Sequence, residues 1–324
     1  MIHRKRKKRH GAEESVFQIL FLVLLFLSIL RILDLLPEKD KDPQPVSAVA
    51  AFDPASIPPE SNTVPSPQRS LSVYDVETVV SSGGLDLRGM EPKILIYHTH
   101  TTEAYTATKA SPYVKTGSFR TADASKSVLA VGEALAERLR THYGFCVIHD
   151  TTDHEPPSLK TAYERSEKTM RSYLEQYPSL ILFVDIHRDA SSDASDYVMV
   201  DGMPTARLMC VVGQGTKYEE KPDFDRNYDL ASKLTQHLRK IEKRLARDVR
   251  VKTGRYNQHV GSLSLLIEVG HNANTLEQAL QAVPSLAECL ALALAETDMV
   301  EPPASSVTAL SHLLVPCGAG IDKE

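Results

Sequence analysis

Between Lys93 and Thr297 the apolar residues follow two kinds of pattern. Short β-prone runs occupy 94–97, 145–148, 180–186, 197–200, 207–212 and 263–269. Between them, apolar residues recur every three or four positions, the period of a helix with one buried face. Val128, Val131, Leu135, Leu139 and Tyr143 mark the first such stripe; Leu159, Tyr163, Met170, Leu174 and Tyr177 mark the second. Leu230, Leu234, Leu238, Ile241 and Leu245 form the third, and Leu276, Leu280, Val283, Ala287, Leu290 and Leu294 the fourth. Strand and helix signals in alternation predict an α/β fold: a mostly parallel six-stranded sheet with helices on both faces, the stripes forming its core.

Outside that stretch the pattern changes. Arg4 to Arg9 is a block of six cations, followed by an apolar run from Val16 to Leu30 that continues through Arg31 and Asp34 to Leu36. Arg31 can snorkel to the interface, so 16–36 is expected to be one transmembrane anchor, with the basic segment 1–15 cytoplasmic and the remainder extracytoplasmic. A cleaved signal peptide is the rival, but no small-residue site follows the apolar core directly. Residues 37–70, with eight prolines, cannot bury a core and are expected to be a disordered tether. The folded domain is then 71–297, with a flexible tail at 298–324.

Composition refines this picture. The 324 residues are 42% hydrophobic and 24% charged, ordinary for a globular chain. Beyond residue 36 there are 30 basic and 39 acidic residues, a net charge of −9, which argues against nucleic acid as a partner. The four cysteines are scattered, and the apolar neighbours of three of them point to buried thiols rather than a disulfide framework or a metal cage.

Chemistry concentrates where strands end. The first runs into His98-Thr99-His100-Thr101-Thr102-Glu103, the third into Asp185-Ile186-His187-Arg188-Asp189, and the last into Glu268-Val269-Gly270-His271. In open α/β sheets, sites form just beyond the carboxyl ends of strands. A catalytic zinc takes three protein ligands, and a nearby carboxylate serves as base. His98, His100 and His187 are candidate ligands and Glu268 a candidate base. Glu103 suits either a ligand or a solvated helix start. Arg188 can stabilise an oxyanion or pair with Asp189, and His271 can line the cleft. No nucleophile elbow or Walker-type phosphate loop is present in the sequence. Six strand candidates are too few for an eight-stranded barrel.

The motifs Tyr97-His98-Thr99-His100-Thr101-Thr102-Glu103, Phe119-Arg120-Thr121, His149-Asp150-Thr151-Thr152, Asp185-Ile186-His187-Arg188-Asp189, Arg255-Tyr256-Asn257-Gln258 and Ile267-Glu268-Val269-Gly270 together resemble the stage II sporulation protein P family. That family is a membrane-anchored relative of the zinc-dependent N-acetylmuramoyl-L-alanine amidases. The resemblance implies a zinc-amidase-like fold and Zn2+ held by His100, by the helix-start acid Asp123 and by His187, with His98 and Glu103 as alternatives. It implies Glu268 as the base, with Arg188 assisting. The chain departs from the amidase pattern in carrying Asp at 123 and Ser at 127. The implied substrate is peptidoglycan, cleaved between stem peptide and glycan, with a second, endopeptidase cut also associated with the family. The implied setting is engulfment during sporulation, with a lytic transglycosylase and an integral membrane protein as partners. The alternative is a catalytically inactive wall-binding scaffold.

Overall fold

A computed structural model describes residues 85, 87–191 and 196–298. The expected anchor and tether, the tail from residue 299 onward, and residues 71–84, 86 and 192–195 of the expected domain lie outside the described residues.

The six-stranded sheet has the order β2-β1-β3-β8-β6-β7. Its strands are β1 (Ile94–Tyr97), β2 (Val147–His149), β3 (Leu182–Asp189), β6 (Leu208–Gly213), β7 (Arg250–Lys252) and β8 (Leu263–His271). Neighbours are parallel except β6, which runs antiparallel to β8. The expected strand at 197–200 exists as β4 (Tyr197–Val200), but it pairs with β5 (Met203–Ala206) in a separate hairpin. Its place in the main sheet is taken by β7, whose three residues are all exposed and so carry no apolar signal.

Four helices pack on this sheet: α1 (Val128–Tyr143), α2 (Ala162–Gln176), α3 (Phe224–Ile241) and α4 (Leu276–Ala295). Strand side chains alternate between faces. Ile94, Ile96, Leu182 and Val184 share one core with α1, α3 and α4, while Leu95, Tyr97 and Phe183 pack with Met170 of α2. Both faces are therefore covered. Ser127 caps α1 through the Leu129 amide, and Gly144 ends it at φ 68°. Thr275 and Gln278 form a capping box on α4. By length and composition α4 could cross a bilayer, but most of its residues are buried in the core.

Two expectations need correction. Leu159 belongs to a 3-10 turn rather than to α2 and is 45% exposed, so the second stripe begins later. Cys210 and Cys289 are buried free thiols, but Cys146 is disulfide-bonded. Apolar neighbours reveal burial and say nothing about pairing.

Candidate active site

Because β1, β3 and β8 are parallel, their carboxyl ends open at one edge of the sheet. Register then decides which side chains meet. Tyr97 pairs with Asp185, and His187 pairs with Glu268 across β3 and β8. Asp185 and His187, two apart on a strand, point to the same face. A bulge between His187 and Asp189 ends the regular ladder there.

His187 is 4% exposed and sits between two carboxylates. Its Nδ1 lies 3.3 Å from Glu103 Oε2, and its Nε2 lies 2.9 Å from Asp185 Oδ1, off the line of a hydrogen bond. Burial pulls the His187 pKa down, but Asp185 and Glu103 outweigh it and hold it well above the usual imidazole value. Asp185 is itself fixed by the amide (2.9 Å) and hydroxyl (2.7 Å) of Thr99. The His100 ring stands edge-on to His187 with centroids 5.6 Å apart. Its Nδ1 is 3.5 Å from Glu155 Oε1 and makes no hydrogen bond. Glu155 is gripped by Arg120 and Thr102, and although burial works the other way, His100, Thr102 and Arg120 hold its pKa down at about 2.

Glu268 completes the group. Its Oε2 is buried with no hydrogen-bond partner. Burial pushes its pKa up to about 8, with His187 opposing and the Glu103 and Asp189 charges adding to the rise. An unpartnered buried carboxylate facing a cluster of ligand-type side chains is expensive as a purely structural feature.

The remaining predicted residues are placed as follows. Asp123 caps the 3-10 turn before α1, fully exposed, its carboxylate accepting from Ser125 N (3.0 Å) and Oγ (2.7 Å). Glu103 instead is brought to His187, and its backbone carbonyl accepts from Val128 at the start of α1 (2.9 Å). The helix start and the acid thus meet in space although they are far apart in sequence. Arg188 directs its amide to Glu103 Oε2 (3.2 Å) and its guanidinium to the Ala104 and Phe119 carbonyls (3.1 Å each). It clamps the Glu103 loop, while Asp189 pairs with Arg247. His98 is wholly buried, bonded to Ile186 O (3.0 Å) and to His149 Nε2 (2.9 Å). His271 is buried against the Asp196 amide (3.3 Å).

Asp185 and Glu155 stand beside the two imidazoles without being marked as candidates by the strand-end pattern. The Asp-x-His spacing on a strand could have revealed the first. The second arrives from a loop after β2 with no local signal.

The donor set fits a zinc ion. It offers two imidazoles, each with one nitrogen facing a carboxylate of the kind that orients metal-bound histidine (His187 Nε2 toward Asp185, His100 Nδ1 toward Glu155), which leaves the other nitrogen of each ring for the metal, with Glu103 beside His187 Nδ1. A second group, Glu167, Glu220 and His259, has metal-like spacing. Arg171 and Arg255 bind these carboxylates at 2.8–3.0 Å, which makes it an ion-pair network.

Residues 38–291 match the model of the family described as Stage II sporulation protein P. The Stage II sporulation protein P of Bacillus subtilis (strain 168) is 28% identical over 213 residues, covering 62% of this chain. The chain spans about half the length of that curated relative, 50% of it. Similar solved structures include the CwlD amidase from Clostridioides difficile in complex with the GerS lipoprotein (17% identity, 63% of this chain and 94% of that one, TM-score 0.38). The N-acetylmuramoyl-L-alanine amidase AmiC2 of Nostoc punctiforme is another (16% identity, 64% and 96%, TM-score 0.38). With its sequence matched over most of its length, the chain belongs to the stage II sporulation protein P family.

Proposed function

We propose that this protein is a zinc-dependent peptidoglycan hydrolase that cleaves the amide between the stem peptide and the glycan lactyl group. The observation that carries this reading is Glu268: a half-buried residue whose Oε2 is itself buried and unpartnered, in register with His187. His100, Glu103 and His187 would hold the metal, with Glu103 in the role that the family resemblance implied for Asp123. When bound, zinc supplies Lewis acidity toward the scissile carbonyl and acidifies water. Glu268 Oε2 accepts a proton from the attacking water and returns it to the leaving amine. Asp185 and Glu155 each set a negative charge beside one nitrogen of an imidazole, and Arg188 holds the Glu103 loop in place.

Four acids (Glu103, Glu155, Asp185 and Glu268) and two histidines gathered at the ends of the strands support an enzyme over an inert scaffold. The family and the basic and apolar N-terminal segments support an anchored protein acting on the wall during sporulation. The test is digestion of purified sacculi with mass analysis of the products. Wild-type protein should release intact stem peptides. Glu268→Gln should bind zinc yet lose activity by roughly a hundredfold or more, the scale of a lost acid–base group. Full activity in that variant sinks the mechanism, and cross-bridge cleavage alone reassigns the protein as an endopeptidase.

A further inference from the structure

The Arg255-Tyr256-Asn257-Gln258 motif plays no part in the chemistry above, yet its geometry is costly. Tyr256 and Asn257 both sit in left-handed backbone, at φ 48° and 55°, where side-chain-bearing residues are strained. The strain is held by buried bonds. Asn257 Nδ2 donates to the Tyr163 carbonyl (2.8 Å) and Ser166 Oγ (3.0 Å), and the Gln258 side chain bridges Gly213 N and Val211 O (2.8 Å each). One consequence is the position of the Tyr256 ring. It is braced on Met209, Val211 and Leu266 and lies over Gly254, where an added Cβ would come within 3.0 Å.

From there a line of aromatic rings leads to the candidate active site. Tyr256 stands 5.7 Å from Tyr163, and Tyr163 stands 5.9 Å from His100. Further out, Tyr218 is 44% exposed, with the Arg255 guanidinium 4.7 Å from its ring centroid. The Tyr163 and Tyr256 hydroxyls make no hydrogen bond among the described residues, and both rings are only partly buried. Arg255, beside the Tyr218 ring, and Arg171 are already committed: Arg255 to Glu167 (2.8 Å), and Arg171 to Glu167 and Glu220. An acidic stem peptide would find no open positive charge on these arginines. A sugar ring, apolar on its C–H face and hydroxylated at its rim, matches an aromatic face with a free phenol.

Building on the hydrolase reading, we propose that Tyr163, Tyr256 and Tyr218 form a binding platform for the glycan strand of peptidoglycan, running outward from His100. The Glu167–Arg171–Glu220–Arg255 network braces this platform.

The test measures binding of peptide-free glycan strands, and separately of free stem peptide, to the full chain and its variants by calorimetry, with sacculus digestion run in parallel. Tyr256→Ala should weaken glycan binding roughly tenfold, the scale of one lost aromatic contact, and Tyr256→Phe should retain most of it. Should Tyr256→Ala fail to fold, Tyr218→Ala decides, because its ring is exposed; it too should weaken glycan binding. Glycan affinity indifferent to these variants overturns the platform, as does a loss confined to the stem peptide. If wild-type protein binds glycan in a Tyr256-dependent way but digests nothing, the hydrolase reading fails and the platform stands. If it digests sacculi while glycan binding ignores Tyr256, the reverse holds.

Discussion

Glu268 shows how one residue couples chemistry to stability. An ordinary glutamate titrates near 4.5, whereas burial moves this one to about 8. Between those values the folded chain keeps a proton that the unfolded chain gives up, so stability of the metal-free protein falls as pH rises through this window. The loss is on the order of a few kcal/mol. His187, with its raised pKa, acts in the same direction: its contribution is present below the usual imidazole value and is lost as pH climbs through its folded value. Glu268→Gln should remove the first part only. Urea unfolding of metal-free protein at pH 5 and pH 8 should show a shallower loss in the variant than in the wild type, and identical slopes would refute the shift. The existence of Glu268 was legible in the sequence as an acid ending an apolar strand. Its burial and its missing partner were not, because both depend on His187 arriving from another strand.

At the scale of elements, α1 and the end of β1 constrain each other through Gly132. A Cβ there would lie 2.5 Å from His98 Nε2 and 2.7 Å from His149 Nε2, the two atoms that bond at 2.9 Å. Gly132→Ala should gain up to about 1 kcal/mol of helix propensity. Displacing the imidazoles should cost more, about 1–3 kcal/mol of overpacking, and so lower the melting temperature. Thermal unfolding checks the sign; an unchanged or raised midpoint shows that the helix can shift away. The apolar stripes located all four helices, since periodicity is a local property, but overran two of them: Leu159 lies before α2 and Leu245 in the turn after α3. They failed at β7, whose exposed residues follow no buried pattern, and at β4, where local β propensity could not distinguish the main sheet from a hairpin.

For the whole molecule, the site is a meeting of distant segments, so occupancy and folding should be linked. Zinc binding only to the folded chain at a hundred times its dissociation constant should stabilise by about 2.7 kcal/mol. Calorimetric scans should show a higher melting temperature with zinc and its reversal by chelator. His100→Ala should abolish the shift; a full zinc shift in that variant removes His100 from the ligand set. The sequence by itself determined the fold class, the helices, the strand ends that carry chemistry, and His100, His187 and Glu268 as candidates, because hydrophobic period and residue type are local. Only the tertiary structure decided that Glu103, rather than Asp123, stands beside His187, that Asp185 and Glu155 back the imidazoles, and that Arg188 clamps a loop. Apart from the Asp185–His187 pairing, which the Asp-x-His spacing on one strand carries locally, those outcomes rest on sheet register and loop crossings between residues far apart in the chain, and no local pattern encodes them.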